Sequence, residues 1–315
     1  MTPNSSQLIL SVVIPTHNKP VDVVRCIKHI VEMKFSYGGF EIIVVDDGSN
    51  DPVCKMLDSI DTKGITFRCL RLTGKGPACA RNAGIRVAHA PVVAFCDDDA
   101  IPQNGYLDAI YRPFVEGAEE SNKQVIGVEG AVIPVDGDEL GLLGASPSNT
   151  TGGVYLTCNI AFRKDVLVSI GGLDESFRYP AFEDCDLAAA AMEYGPIVWA
   201  PDAVVHHPRR RWSLKRALRE IKFNEPLVLF GRRYGYLGWP DRPTRCPGLR
   251  IYWSAVIALP LGRVIVGIKK LLSGKSSNVL SYIAISAMQG AVATVMVIPA
   301  ISRGYRSEKK RQKYI

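Results

Sequence analysis

An apolar run leads directly into three consecutive carboxylates in the stretch Pro91-Val-Val-Ala-Phe-Cys-Asp97-Asp98-Asp99-Ala-Ile-Pro102. The pattern predicts a short buried strand at Val92 to Cys96, with the acids at its carboxyl end. Adjacent negative charges repel one another, and their proximity is unfavourable unless a cation offsets them. Ligands of open α/β sheets bind at this end of the strands, so we expect a site for Mg²⁺ or Mn²⁺. A solvated acidic turn is the alternative that this stretch leaves open.

Charge is distributed unevenly along the 315 residues. Residues 1–208 carry 16 Lys and Arg against 27 Asp and Glu, whereas residues 209–315 carry 22 against 4. A basic C-terminal region predicts an anionic partner, and its apolar runs favour a membrane surface over nucleic acid. We therefore expect a globular body at 1–208, followed by a separate C-terminal region.

Strands alternate with helices along the body. Buried strands are predicted at Leu8 to Ile14, Phe40 to Val45 and Val92 to Cys96, with helices between them. This alternation is typical of a doubly wound α/β fold, in which helices flank a mostly parallel sheet. A second acidic pair, Asp46-Asp47, ends its own strand, and parallel strands would bring both acidic clusters to one edge. The Asp-Gly dipeptide that this pair forms with the next residue is also typical of a plain turn.

The 8 cysteines are scattered along the chain and form no Cys-x-x-Cys pair. This spacing favours neither a zinc site nor a redox motif. Several cysteines fall inside apolar runs, so we expect them to be small core residues of a protein in a reducing cytosol.

Six segments of the body resemble the family-2 inverting glycosyltransferases of the GT-A fold. They occur in the family's order and spacing, and the resemblance extends from about Leu10 to about Gly235. The segments are Val12-Val-Ile-Pro-Thr-His-Asn18, Val44-Val-Asp-Asp-Gly-Ser49, Ala80-Arg-Asn-Ala-Gly84, Asp97-Asp-Asp99, Gly171-Gly-Leu-Asp-Glu-Ser-Phe177 and Glu183-Asp-Cys-Asp-Leu187. The resemblance implies a Rossmann-like sheet, with a nucleotide-sugar half at about 1–102 and an acceptor half at about 103–208.

The resemblance also implies roles for individual side chains. On the donor side it implicates Pro15, Thr16, Asp46, Asp47, Arg81 and Asp97. The expected metal ligands are Asp99, which is the closer one, Asp97, and either His206 or His207. Asp184 is the expected catalytic base, and Glu183 and Asn159 are expected on the acceptor side. Acids at this position also favour a helix N-terminus, and a pair of histidines can simply end a strand, so these alternatives stay open.

These residue types suit sugar transfer from a nucleoside-diphosphate sugar, with a UDP-sugar as the expected donor. Mg²⁺ or Mn²⁺ offsets the charge of the departing diphosphate, and a carboxylate takes the proton of the attacking hydroxyl. Direct displacement inverts the anomeric centre. The expected acceptor is a glycan or a lipid-linked molecule, in the synthesis of a cell-surface glycan or glycolipid. The alternatives are a sugar-nucleotide pyrophosphorylase and a membrane scaffold that keeps a degenerate transferase body.

Three successive segments make up the C-terminal region. Residues 209–250 are basic and predict an amphipathic helix on an anionic membrane. Within 251–301, the stretches Ile251 to Ile268 and Val279 to Ile301 are apolar, and the second is long enough to span a bilayer. We expect a helical hairpin, with the body and the basic tail at 302–315 both cytoplasmic by the positive-inside rule. The expected location is the cell inner membrane with a cytoplasmic catalytic domain, and a re-entrant pair is the alternative.

Overall fold

The computed structural model describes residues 7–58, 60–117, 124–136, 138–177, 179–213, 215–216 and 282–288, together with positions 226, 230, 265 and 280. The chain divides into two compact units. The first comprises residues 1–135, 147–178 and 183–208, and the second comprises residues 136–146, 179–182 and 209–315. All the predicted site residues belong to the first unit.

Strands and helices alternate through the chain in the order that the hydrophobic pattern predicts. The elements are β1 (Leu8–Thr16), α1 (Pro20–Val31), β2 (Gly39–Asp46), α2 (Val53–Leu57), β3 (Thr66–Arg71), α3 (Pro77–Val87), β4 (Val92–Cys96), β5 (Ile101–Pro102), α4 (Tyr106–Glu116), β6 (Gly127–Val135), a 3-10 helix (Asp138–Leu143), β7 (Gly144–Ala145), β8 (Asn159–Arg163), α5 (Lys164–Ser169), α6 (Glu183–Ala191), β9 (Ile197–Pro208) and β10 (Arg210–Arg211). The 3-10 helix, β7 and β10 belong to the second unit, and the other elements belong to the first.

One eight-stranded sheet organises the first unit, in the order β3-β2-β1-β4-β8-β6-β9-β5. β1 pairs in parallel with β2 and β4, and β2 with β3, so the carboxyl ends of β1, β2 and β4 meet at one edge. β6 and β9 are also parallel, whereas β8 runs antiparallel to β4 and β6, and β5 antiparallel to β9. The prediction of an α/β fold with a mostly parallel sheet is confirmed, and the antiparallel members follow β4 in the chain.

Neighbouring residues of the central strands pack on opposite faces of the sheet, as the period of two in a strand requires. Val12 of β1 belongs to the core beneath α1 and α4, whereas Val13 belongs to the core beneath α3. Gly84 of α3 lies so close to β1 that a Cβ atom there would come within 2.3 Å of Val13 Cγ1. This close approach holds α3, and with it Arg81, against the strands.

Two cysteines depart from the expectation of core thiols. Cys54 of α2 and Cys69 of β3 form a disulfide across 15 residues of sequence. The sequence did not indicate this pair because the two residues meet only after β2 and β3 have paired. Cys26, Cys96 and Cys158 are buried free cysteines, as predicted.

The second unit contains a small antiparallel pair of its own, because Arg210 of β10 faces Ala145 of β7. The Trp212 ring packs with Leu143 and Tyr282 in an apolar cluster. Residues 282–288 are helical.

The expected membrane segments lie largely beyond what the structure describes. The stretch 251–268 is described at residue 265, and the stretch 279–301 at residue 280 and at 282–288. Most of the amphipathic segment at 209–250 and all of the tail at 302–315 are outside the described residues. Among the residues that the structure describes, none of the helices is long and apolar enough to cross a bilayer. The membrane hairpin therefore stays a prediction.

Candidate active site

The three carboxylates at the end of β4 face three different sets of partners. Asp97 is half-buried, whereas Asp98 and Asp99 are 5% and 3% exposed. The Thr16 hydroxyl donates to Asp98 Oδ2 at 2.8 Å, and the Lys19 ammonium donates to Asp98 Oδ1 at 2.8 Å. Burial raises the pKa of Asp98 to about 6, although Lys19 acts to lower it. The triplet is therefore a set of organised, mostly buried acids, which excludes the solvated turn.

Asp97, Asp99 and His207 form a candidate metal centre. One ligand atom from each lies within 4.8 Å of the others, and His207 Nε2 is 3.2 Å from Asp99 Oδ1. Burial acts to lower the pKa of His207, but the hydrogen bond and charge of Asp99 outweigh it and raise that pKa. Two carboxylate oxygens and one imidazole nitrogen suit Mn²⁺, and the carboxylates also suit Mg²⁺.

The structure chooses between the two adjacent histidines. His206 and His207 are successive residues of β9, and side chains of successive strand residues point to opposite faces. His207 is the one that joins Asp97 and Asp99 among the described residues, and His206 lies outside that group. The metal assignment of His206 is therefore corrected, because the alternation of the strand turns its ring away.

Arg81 lies between carboxylates and is 4% exposed. Its guanidinium donates to Asp97 Oδ1 at 2.8 Å and to Glu183 Oε1 at 3.4 Å. Burial acts to lower the pKa of Arg81, but Asp97, Glu183 and Asp184 raise it, so the group stays charged. Both of these bonds join the end of β4 to the start of α6, and the donor contact of Arg81 stays a prediction.

Two acids open α6. Asp184 is half-buried, and its Oδ1 accepts a hydrogen bond from the Cys185 backbone N–H at 2.8 Å. Glu183 is 3% exposed, and its Oε2 has no hydrogen-bond partner within the described part of the chain. Burial, followed by the charge of Asp184, raises the pKa of Glu183 to about 8, and burial also raises the pKa of Asp184. A raised carboxylate pKa is the property that a general base near neutral pH requires.

Asp46 and Asp47 organise the loops that follow β2. The Asp46 carboxylate is fully buried, where it accepts from the Ser49 and Val53 backbone N–H groups and pairs with Arg71 at 3.0 Å. Both of its oxygens are bonded within the protein, and its donor contact stays a prediction. Asp47 accepts from the backbone N–H groups of residues 75 and 76 at 2.8 and 2.7 Å, so it fixes the glycine-rich loop before α3.

Pro15 and Thr16 end β1 at the same edge. Pro15 is half-buried and faces Val45 across the β1–β2 pair. The Thr16 backbone oxygen accepts from the Asp47 N–H at 2.8 Å, and its side chain bonds Asp98 as described above. Thr16 therefore connects the two acidic clusters that the parallel strands bring together.

Asn159, which is predicted on the acceptor side, is bonded within the sheet. Its side-chain Nδ2 donates to the carbonyl oxygens of Ala131 at 2.8 Å and Ala203 at 2.7 Å. The β6–β9 register shifts at this point, where Gly130 faces Ala200 and the next residue faces Val204. Because Asn159 is 1% exposed and fills this irregularity, its amide stabilises the sheet.

Sequence reasoning missed Glu129. This buried carboxylate accepts hydrogen bonds from the Asn149 side chain at 3.0 Å and from the Tyr155 N–H at 3.0 Å, and it also accepts from the Gly153 and Val154 N–H groups. It thereby fixes the loop at 149–155, whose Val154 oxygen lies 4.0 Å from Cys185 Sγ beside the predicted base. An acid in the middle of an apolar strand was the signal that could have identified Glu129.

Comparisons with known proteins agree with this geometry. Residues 11–162 match the family model described as Glycosyl transferase family 2. Glycosyltransferase GlyG of Streptococcus pneumoniae serotype 4 is 34% identical over 109 residues, which are 34% of this chain and 36% of that protein. The pre-mycofactocin glycosyltransferase of Mycobacterium tuberculosis is 28% identical over 327 residues, covering 94% of this chain and 65% of that protein. The chain thus spans less than two thirds of the length of both relatives.

Solved structures share the fold. The mannosyltransferase PcManGT from Pyrobaculum calidifontis, solved with GDP-Man and Mn²⁺, superposes with a TM-score of 0.60 at 20% identity, over 93% of this chain and 89% of that one. Residues 1–349 of TarS from S. aureus, solved with UDP-GlcNAc, superpose with a TM-score of 0.54 at 14% identity, over 91% and 90%. At these identities the likeness establishes the GT-A-like fold. Together with the family match, it supports a family-2 glycosyltransferase domain at residues 11–162.

Proposed function

We propose that this protein is a metal-dependent inverting glycosyltransferase, which moves a sugar from a nucleoside-diphosphate sugar to an acceptor hydroxyl. The observation that carries the proposal is the convergence of Asp97, Asp99 and His207 within 4.8 Å, joined through Arg81 to the acids that open α6. The GDP-Man and UDP-GlcNAc named for the two solved relatives support a nucleotide-sugar donor. A UDP-sugar remains the expected donor, and a glycan or lipid-linked molecule the expected acceptor.

The residues at the end of β4 would bind the diphosphate leaving group through a metal ion. Asp97, Asp99 and His207 would hold Mn²⁺ or Mg²⁺, which supplies positive charge to a diphosphate when bound. The Thr16 hydroxyl holds the carboxylate of Asp98 beside these ligands. The pocket for the nucleoside would lie along the ends of β1 and β2, where Asp47 organises the backbone.

Proton transfer is assigned to the start of α6. Burial raises the pKa of both Glu183 and Asp184, and we assign the base to Asp184, the position that the family resemblance indicates. Asp184 then accepts the proton of the acceptor hydroxyl as its oxygen attacks the anomeric carbon, and the bond from that carbon to the diphosphate breaks. Attack from the face opposite the leaving group inverts the anomeric centre.

The test uses the purified full chain with a panel of UDP- and GDP-sugars and an acceptor mixture. We expect release of nucleoside diphosphate that requires Mn²⁺ or Mg²⁺ and stops in EDTA. In Asp99→Asn, calorimetry should show nucleoside diphosphate binding that no longer depends on Mn²⁺, whereas the exposed control Asp58→Asn should behave as wild type. Metal-dependent binding that survives in Asp99→Asn would exclude the assignment, and turnover at full rate in EDTA would exclude the metal dependence.

We also propose that the C-terminal region attaches the protein to the inner membrane, with the catalytic domain and the tail both cytoplasmic. The proposal is supported by the excess of 22 Lys and Arg over 4 Asp and Glu after residue 208 and by the uncharged stretch Val279 to Ile301. In a background without native cysteines, a cysteine at Ser276 should react with an impermeant reagent from outside, and one at Ser307 should not. Labelling at Ser307 from outside, or release of the protein by high salt, would refute the hairpin.

A further inference from the structure

Lys19 contacts the same carboxylates that the candidate metal centre uses. Its ammonium lies 2.8 Å from Asp98 Oδ1 and 3.1 Å from Asp99 Oδ2. The side chains of these two acids are 6% and 4% exposed, whereas the lysine side chain is 33% exposed. A partly exposed lysine therefore reaches inward and supplies positive charge to two buried acids. The sequence did not predict a role for Lys19, because it lies about 80 residues before the acids that it contacts.

The segment that carries Lys19 is also tied to the loop after β2. His17 Nδ1 lies 2.8 Å from the Asp47 carbonyl oxygen. The Asn18 N–H donates to Ser49 Oγ at 2.8 Å, and Asn18 Oδ1 accepts from the Asn50 N–H at 2.8 Å. These bonds hold Lys19 between the metal centre and the loop after β2, which borders the proposed nucleoside pocket. The diphosphate of a donor would lie in this same interval.

Asp99 has two positively polarised partners on its two oxygens. Oδ2 holds the Lys19 ammonium at 3.1 Å, and Oδ1 lies 3.2 Å from His207 Nε2. A divalent cation bound by Asp97, Asp99 and His207 would share the Asp99 carboxylate with the lysine. Like charges on one carboxylate repel each other, so the lysine and the metal oppose one another until an anion arrives. A diphosphate brings enough negative charge to satisfy both.

We propose that Lys19 is an internal counter-cation of the carboxylate triplet, which competes with the divalent cation for Asp99 and binds the donor diphosphate once the cation is in place. This inference rests on the proposed function. It makes Lys19 a donor-binding residue and predicts that metal and nucleoside diphosphate bind more tightly together than separately. The reciprocity of linked binding requires that each ligand raise the affinity of the other by the same factor.

The experiment measures Mn²⁺ binding to the full chain by electron paramagnetic resonance of free Mn²⁺, with and without UDP or GDP. In Lys19→Met, Mn²⁺ alone should bind about tenfold more tightly, and the gain that nucleotide adds should shrink by about tenfold, a size usual for coupled sites. Lys19→Arg keeps the charge and should resemble wild type. Lys28→Met removes an exposed lysine of the neighbouring helix α1 and should change neither quantity.

Each outcome decides the inference. If wild type and Lys19→Met bind Mn²⁺ with equal affinity, the proposed role of Lys19 is overturned. The proposed function still stands in that case, because the wild type binds the metal. Tighter Mn²⁺ binding with unchanged nucleotide coupling would overturn the diphosphate contact. A wild-type protein that binds neither Mn²⁺ nor nucleotide would defeat both proposals. If circular dichroism shows that Lys19→Met does not fold, Lys19→Gln carries the same expectations with a polar side chain.

Discussion

Removing the guanidinium of Arg81 should destabilise the protein measurably. The side chain is 5% exposed and pairs with Asp97 at 2.8 Å and with Glu183 at 3.4 Å. Arg81→Met removes hydrogen bonds to Asp97, whose side chain is 31% exposed, and to buried Glu183; leaving such acceptors without their donor costs about 1–3 kcal/mol. For a domain of about 200 residues, each 1 kcal/mol lowers the melting temperature by about 2–4 °C, so Arg81→Met should melt about 2–12 °C below wild type.

The pH dependence of the stability loss tests whether Glu183 is its cause. Arg81 acts to lower the pKa of Glu183, which burial raises to about 8, so the variant should raise that pKa further. An acid whose pKa is higher in the folded state than in the unfolded state destabilises the fold as pH rises between those two values. The deficit of Arg81→Met should therefore be smaller at pH 5, where Glu183 is protonated in both proteins, than at pH 9, where Glu183 ionises more readily in the wild type than in the variant.

The assay is thermal and urea unfolding of the full chain followed by circular dichroism at pH 5 and pH 9. Arg86→Met is the matched control, because Arg86 lies on the same helix α3 but is exposed, and it should change stability by no more than about 0.5 kcal/mol. In the double variant Arg81→Met/Glu183→Gln, part of the loss should be recovered, with a coupling of about 0.5–3 kcal/mol. A loss in Arg81→Met no larger than in Arg86→Met, or one independent of pH, would refute this reasoning.

The other predictions test the base, the loop and the packing of α3. Asp184→Asn should keep its affinity for nucleoside diphosphate in calorimetry and lose about 10²–10⁴-fold in turnover, and near-normal turnover would exclude Asp184 as the base. Glu129→Gln should lose about 1–3 kcal/mol of unfolding free energy, because it removes the charge that accepts hydrogen bonds from the N–H groups of Gly153, Val154 and Tyr155, and an unchanged urea midpoint would contradict that role. Gly84→Ala should lower the melting temperature through about 1–3 kcal/mol of overpacking against Val13, and a variant as stable as wild type would show that α3 can move away.

The sequence by itself determined the alternation of strands and helices and the location of the acids. Apolar runs such as Val92–Cys96 are buried because their side chains are hydrophobic. Parallel pairing of the strands then brings Asp47 and Asp97 to one edge of the sheet. The acidic triplet predicted a metal site, and the family resemblance added a histidine ligand and a base at Asp184. These inferences depend on residue type and on spacing within single elements, which a linear pattern records directly.

Only the tertiary structure decided which side chains meet. The register of β9 selects His207 over His206, and the irregular β6–β9 pairing turns Asn159 into a support of the sheet. Arg81 and Glu183 are 102 residues apart, and Lys19 and Asp99 are 80 apart, so these ion pairs exist only once the sheet has assembled. A sequence records where charges stand along the chain, but burial and pairing depend on which distant residues the fold brings within hydrogen-bonding distance.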